Sequence, residues 1–144
     1  PRLKRELIPL KEPEFPLLLI GRRDLRSNNS WMHNCPTLVK GKPRCTVLMH
    51  PNDAENFKID HFQTVSVASP KGKIELPAEI TDSIAEGVVS IPHGWGHTKK
   101  GTKIEVAQAH AGVSINDLTD EYFIDELTGN AAFSGVPVRV EAIC

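Results

Sequence analysis

Leu17-Leu18-Leu19-Ile20-Gly21-Arg22-Arg23-Asp24-Leu25-Arg26-Ser27-Asn28-Asn29-Ser30-Trp31 decides how this chain is read. The apolar run from Pro16 to Ile20 is short and continuous, as a buried strand is, and it stops at Gly21. Three arginines (Arg22, Arg23, Arg26) and a group of small hydrogen-bonding side chains (Ser27, Asn28, Asn29, Ser30) follow at once. Glycine lets backbone come close to a ligand, arginine matches phosphate oxygens in a fork, and Ser and Asn read polar ring edges. Such a loop suits a large, anionic ligand rich in hydrogen-bonding groups, with Trp31 and His33 placed to wall it in. The competing reading is a solvated turn.

Outward from this stretch the chain reads as mainly β. Expected strands are Pro16–Ile20, Cys45–His50, Thr64–Ala68, Lys73–Ile80, Gly87–Ile91 and Val136–Ala142, short runs separated by turn residues. Thr64–Ala68 and Ile74–Ile80 alternate in character, and Ser69-Pro70-Lys71-Gly72 between them predicts a hairpin turn. Helical signal is thin: Pro51–Phe57, with acidic residues in its first turn, and Asp117–Leu127. Residues 1–15 alternate charge and proline and read as a lead-in or linker to a single domain over 16–144. The sequence does not begin with Met, which is expected of a fragment or a processed chain.

Composition narrows the function classes. The net charge is −1, but residues 1–50 hold ten Lys and Arg against four Asp and Glu, whereas residues 51–144 hold seven against fourteen. A basic front half suits a small phosphate-bearing ligand better than a nucleic acid, and 6% aromatic residues supply no base-stacking platform. No apolar run approaches the ~20 residues of a membrane span. Cys35, Cys45 and Cys144 have no metal-binding spacing, and their odd number points to a reducing, cytoplasmic setting, with a periplasmic parent enzyme as the other option. His93 and His97 stand four apart, but Gly94 and Gly96 between them argue against a helical metal site.

Leu17–Asn34 resembles the opening of the C-terminal, molybdopterin-dinucleotide-binding domain of the molybdenum and tungsten oxidoreductases, the dimethyl sulfoxide reductase superfamily. Three further blocks resemble the same domain, in family order. Pro51, Asp53 and Ala54 match a Pro-x-Asp-Ala step, although the glycines expected around Ile59 and Asp60 are missing. Gly87–His97 resembles a strand ending in a proline and a His/Trp loop. Asn116, Leu118, Thr119, Asp125, Thr128, Gly129, Gly135 and Pro137 fit the closing pattern. Together the blocks span roughly residues 16 to 142.

The resemblance implies a double-psi β-barrel, aspartate-decarboxylase-like, with six or seven strands and a few short helices. It implies molybdopterin guanine dinucleotide as cofactor, with the molybdenum or tungsten held mainly by the remaining domains of a parent oxidoreductase, the chain's expected partners. Gly21, Arg22, Arg26, Asn28, Asn29, Ser30 and His33 would form the loop around the dinucleotide. Asp53 would lie at its guanine end and Asn116 at the pterin. Arg22 is the first choice for the pyrophosphate, and Arg23 is expected toward solvent. Without the resemblance, Asp53 also reads as an acid at a helix N-terminus and Asn116 as a turn residue. No catalytic residue is assigned, since the hard chemistry belongs to the metal and its dithiolene. A rival is a double-psi barrel that binds protein partners without a cofactor, as in the N-terminal domains of certain ATPases. A self-processing decarboxylase is set aside because no Gly-Ser dipeptide occurs.

Overall fold

The computed structural model describes residues 14–101, 103–125, 127–131 and 133–143, so most of the lead-in read over residues 1–15 lies outside the described residues, as does Cys144. Six strands close into one barrel: β1 (Leu17–Arg22), β2 (Val47–Met49), β3 (Thr64–Ala68), β4 (Lys73–Ile80), β5 (Val88–Pro92) and β6 (Val136–Ala142). Their order around the barrel is β1-β5-β2-β4-β3-β6, with β6 pairing back onto β1. Closure leaves no free sheet edge, and the interior fills with alternate side chains of each strand. Leu17 and Leu19, Val47 and Met49, Val65 and Val67, Ile74, Leu76 and Ala78, Val89 and Ile91, and Val136, Val138 and Val140 form that core.

The hairpin read at Ser69–Gly72 joins β3 to β4: Ser69 N–H donates to the Gly72 carbonyl at 2.9 Å, and Ser69 Oγ accepts from Lys71 and Gly72 N–H. Two other pairs are parallel, β1 with β5 and β2 with β4. A parallel pair cannot be closed by a tight turn and needs a long connection. The partners of both parallel pairs are accordingly far apart in the chain, β1 from β5 and β2 from β4.

Helix α1 (Pro36–Val39), α2 (Pro51–Phe57) and α3 (Glu105–Ala109) are short, and single 3-10 turns cover Trp31–Asn34 and Ile115–Leu118. Helix α2 is the one the sequence locates directly. Pro51 occupies its first turn, His50 Nδ1 accepts from Asn52 N–H at 3.2 Å, and the helix ends at Lys58 in the left-handed conformation. The helix expected over Asp117–Leu127 does not form beyond Leu118. Asp120 accepts from Tyr122 N–H at 2.9 Å, and Asp125 from Leu127 and Thr128 N–H at 3.1 and 2.8 Å. These side chains offer the backbone local turns in place of helical bonds. Helix α3 escapes sequence reading because its start is capped from far away. Asn34 Oδ1 accepts from Val106 and Ala107 N–H at 3.1 and 3.3 Å.

The glycines missing around Ile59 and Asp60 have a structural counterpart. Lys58 and Phe62 adopt φ of 55° and 62°, a region that glycine enters without steric cost.

Candidate cofactor site

β1 and β5 run in the same direction, with Arg22 opposite Pro92. The segments that leave them therefore emerge side by side, and His93 N–H still donates to the Arg22 carbonyl at 3.1 Å. Two glycines make the approach possible. A Cβ on Gly21 would sit 2.0 Å from His93 Nε2, and one on Gly94, whose φ is +90°, would sit 2.0 Å from the Asn29 carbonyl oxygen. Gly21 thus leaves room for the His93 ring.

A cavity of about 380 Å³ opens where these loops meet. Its lining includes Arg23, Asn29, Ser30, His93, Trp95 and Asn116. A second cavity of about 520 Å³ shares Arg23 and Asn29 with the first and adds Asn28 and Met32. Cavities of this size hold small molecules and cofactors. Trp95 is 8% exposed and its indole N–H has no acceptor, an orphaned buried donor in the wall of the first cavity. A polar lining with a guanidinium and two amide side chains fits a ligand rich in acceptors, such as phosphate oxygens and pterin ring edges. Burial, and then the nearby Arg23 charge, hold the His93 imidazole below the ordinary histidine range, so it faces the cavity uncharged at neutral pH.

Of the residues singled out in the sequence, the structure brings Asn29, Ser30 and Asn116 into one cavity and Asn28 into the adjoining one. Asn28 and Asn29 have φ of 42° and 60°, a backbone state that Asn tolerates better than most residues. Arg23, expected toward solvent, lines both cavities.

Arg22 turns inward instead. Its guanidinium donates to the carbonyl oxygens of Ser90 and Arg44 and to Thr46 Oγ1, and Thr46 in turn donates to Glu79. Desolvation lowers its pKa and the Glu79 charge opposes this. Arg22, the first choice for the pyrophosphate, is thus bonded within the barrel. Arg26 stays exposed and donates to the Thr37 carbonyl at 2.8 Å. Asp53 lies elsewhere, accepting from Gly87 N–H at 2.7 Å where β5 begins. His33 is fully buried, 2.7 Å from His97 and 2.7 Å from Ser27 Oγ, and does not line either cavity. His93, Trp95, His97 and Ser114 line the first cavity without having been assigned to the cofactor from sequence. The Gly87–His97 block was the available signal for the first three. Among the described residues no group of three His, Cys, Asp or Glu is placed to hold a metal ion.

The chain is thus a closed six-stranded β-barrel with a polar, arginine-bearing cavity beside its parallel strand ends, of a chemistry that suits a phosphate-bearing ligand. The chain belongs to the Molydopterin dinucleotide binding domain family, whose pattern matches residues 17–137. It is similar to the tetrathionate reductase of Salmonella typhimurium, 26% identical over 90% of this chain and 14% of that protein. It is also similar to a putative dimethyl sulfoxide reductase chain of Escherichia coli, 33% identical over 73% of this chain and 12% of that one. Among solved structures, acetylene hydratase from Pelobacter acetylenicus superposes with a TM-score of 0.75 at 20% identity, covering 91% of this chain and 19% of the other. The barrel is of the double-psi type that the sequence blocks implied. The chain thus spans less than a fifth of each of these three proteins.

Proposed function

We propose that the two adjoining cavities bind molybdopterin guanine dinucleotide, and that the chain serves as the C-terminal domain of a larger molybdenum or tungsten oxidoreductase. The observation that carries the reading is the shared lining. Arg23 and Asn29 belong to both cavities, so one cation and one amide stand where the two halves of a dinucleotide would join at its pyrophosphate. Asn116 and Ser30 would meet polar ring edges in the first cavity. When bound, the cofactor's dithiolene and metal supply the redox chemistry. The protein's part is to bind, orient and keep water out. His93, uncharged and held against Gly21, adds an imidazole that can donate or accept without bringing a second positive charge beside Arg23. Cys35 and Cys45 are free thiols, in keeping with a cytoplasmic setting.

Titration of the full chain with guanosine diphosphate, followed by amide NMR, tests the site. The amides of Arg23, Asn29, Ser30 and Gly94 shift in the expected outcome. If they stay still while a parent enzyme loses no pterin on replacement of Arg23 by Ala, the assignment fails.

A further inference from the structure

At the cavity wall a pair of histidines meets, His97 in the lining and His33 buried behind it. His33 is 0% exposed and His97 8%. His33 Nδ1 is 2.7 Å from His97 Nε2, and the two rings meet edge to face at an interplanar angle of 87°. The other ring nitrogen of His33 is 2.7 Å from the buried Ser27 hydroxyl, and Trp95 lies against the His33 ring with centroids 4.1 Å apart. Ser27 and His33 flank the β1 loop that supplies Asn29 and Ser30; His97 closes the β5 loop that supplies His93 and Gly94. Together with the Gly94–Asn29 backbone approach, this imidazole pair ties the two cavity loops to each other.

We infer that His33 and His97 are positioning residues, a clasp that fixes the spacing of the two cavity loops and opens when both rings are protonated. The inference rests on the reading of the cavity as the cofactor site only for its consequence on cofactor retention; the clasp itself is a property of the loops. A hydrogen bond between two imidazole nitrogens needs one N–H and one lone pair. Two neutral rings supply that, and so does a pair holding one extra proton. Two protonated rings place N–H against N–H with no acceptor between them, in a buried setting where unpaired charge is costly.

The surroundings favour the neutral pair. Burial is the leading cause that keeps His33 below the ordinary histidine value; the His97 ring and the Arg44 guanidinium push the same way, while Asp24 and the Gly94 backbone oppose them. For His97 the cause is burial. Both rings therefore take up protons less readily folded than unfolded. Above the unfolded value of ~6.5 there is no penalty. As pH falls below it the unfolded chain binds protons first, and the clasp loses stability until the folded values are reached.

The test follows the histidine ring nitrogens and the Asn29, Ser30 and Gly94 amides of the full chain by NMR from about pH 8 to about pH 5, the range in which histidine switches. The expected result is that loop amides and ring nitrogens move together, with midpoints below ~6.5. His97→Gln keeps a hydrogen-bonding atom near the Nε2 position and cannot be protonated in this range. Its loop amides hold their wild-type positions and lose the part of the titration that follows the His33 and His97 rings, keeping only the part that follows the neighbouring His93 ring. His97→Leu removes the bond, and its loop amides are displaced at every pH; if that variant does not fold, the Gln variant still decides. Loop amides that ignore the titrating rings, or that titrate unchanged in His97→Gln, overturn the clasp. In a parent enzyme, pterin release is expected to quicken several-fold on acidification, and the His97→Gln variant abolishes that acceleration. If the loop amides respond while pterin release does not, the clasp stands and the cofactor assignment of the cavity falls.

Discussion

The parallel pair β1–β5 has two ends, and each meets polar side chains in a different way. At the start of β5, Asp53 accepts from Gly87 N–H and the Gly87 carbonyl accepts from Leu18 N–H at 2.9 Å. That carboxylate has a fixed partner within the fold. At the other end, beyond Arg22 and Pro92, Arg23, Asn29 and Asn116 line open cavities. The same residue types therefore hold the barrel closed at one end and are left available for a ligand at the other. Availability, measured by hydrogen-bond partners, separates them better than residue type does.

Arg22 and Arg23 give the sharpest way to break that contrast. Replacing Arg22 by Ala leaves the Ser90 and Arg44 carbonyls without their side-chain donor and costs about 2–4 kcal/mol of stability, read from the urea midpoint. A shift smaller than half of the lower bound would mean that this inward arginine is not structural. Replacing Arg23 by Ala changes folding stability by less than ~0.5 kcal/mol, as exposed positions generally do. The same change weakens retention of a phosphate-bearing ligand by about 1.5–3 kcal/mol, roughly tenfold to a hundredfold. It also relieves one cause that depresses the His93 pKa, so the His93 midpoint moves upward; an unmoved midpoint would place Arg23 away from the cavity mouth.

The quiet end of the strand pair gives a smaller effect. Asp53→Ala leaves Gly87 N–H without its acceptor and costs about 1–2 kcal/mol in melting experiments, whereas Asp53→Asn keeps an acceptor oxygen and recovers most of it. Pterin content per folded molecule stays constant in both variants; a selective loss of pterin would return Asp53 to the ligand site. The smallest effect is a gain. Lys58→Gly relaxes a left-handed residue at the end of α2 and raises stability by about 0.5 kcal/mol, partly offset by glycine's unfolded-state entropy. A lower melting temperature would show that the Lys58 side chain contributes more than its backbone costs.

Much of the fold was legible. Thr64–Ala68, Lys73–Ile80 and Val136–Ala142 occur with the bounds read from the sequence, the first two helped by alternation, and α2 with those read from its proline and acidic start. Alternation and capping are local, so a single segment shows them. Parallel pairing is not local. Nothing within Leu17–Arg22 says that Val88–Pro92 lies beside it, and the placement of His93 against Gly21 follows from that pairing alone.

The sequence by itself determined the fold class and the family, because strand periodicity and ordered motif blocks survive in one dimension. Only the tertiary structure decided which arginine faces the cavity and which holds the barrel. Arg22 and Arg23 are chemically identical and adjacent, but a strand sends successive side chains to opposite faces. Arg22, the last residue of β1, reaches back to the Ser90 and Arg44 carbonyls, while Arg23, the first beyond it, is carried to the cavity rim. The burial of His33 against His97 has the same origin. The two histidines are sixty-four residues apart, and only closure of β1 onto β5 brings their loops within hydrogen-bonding reach.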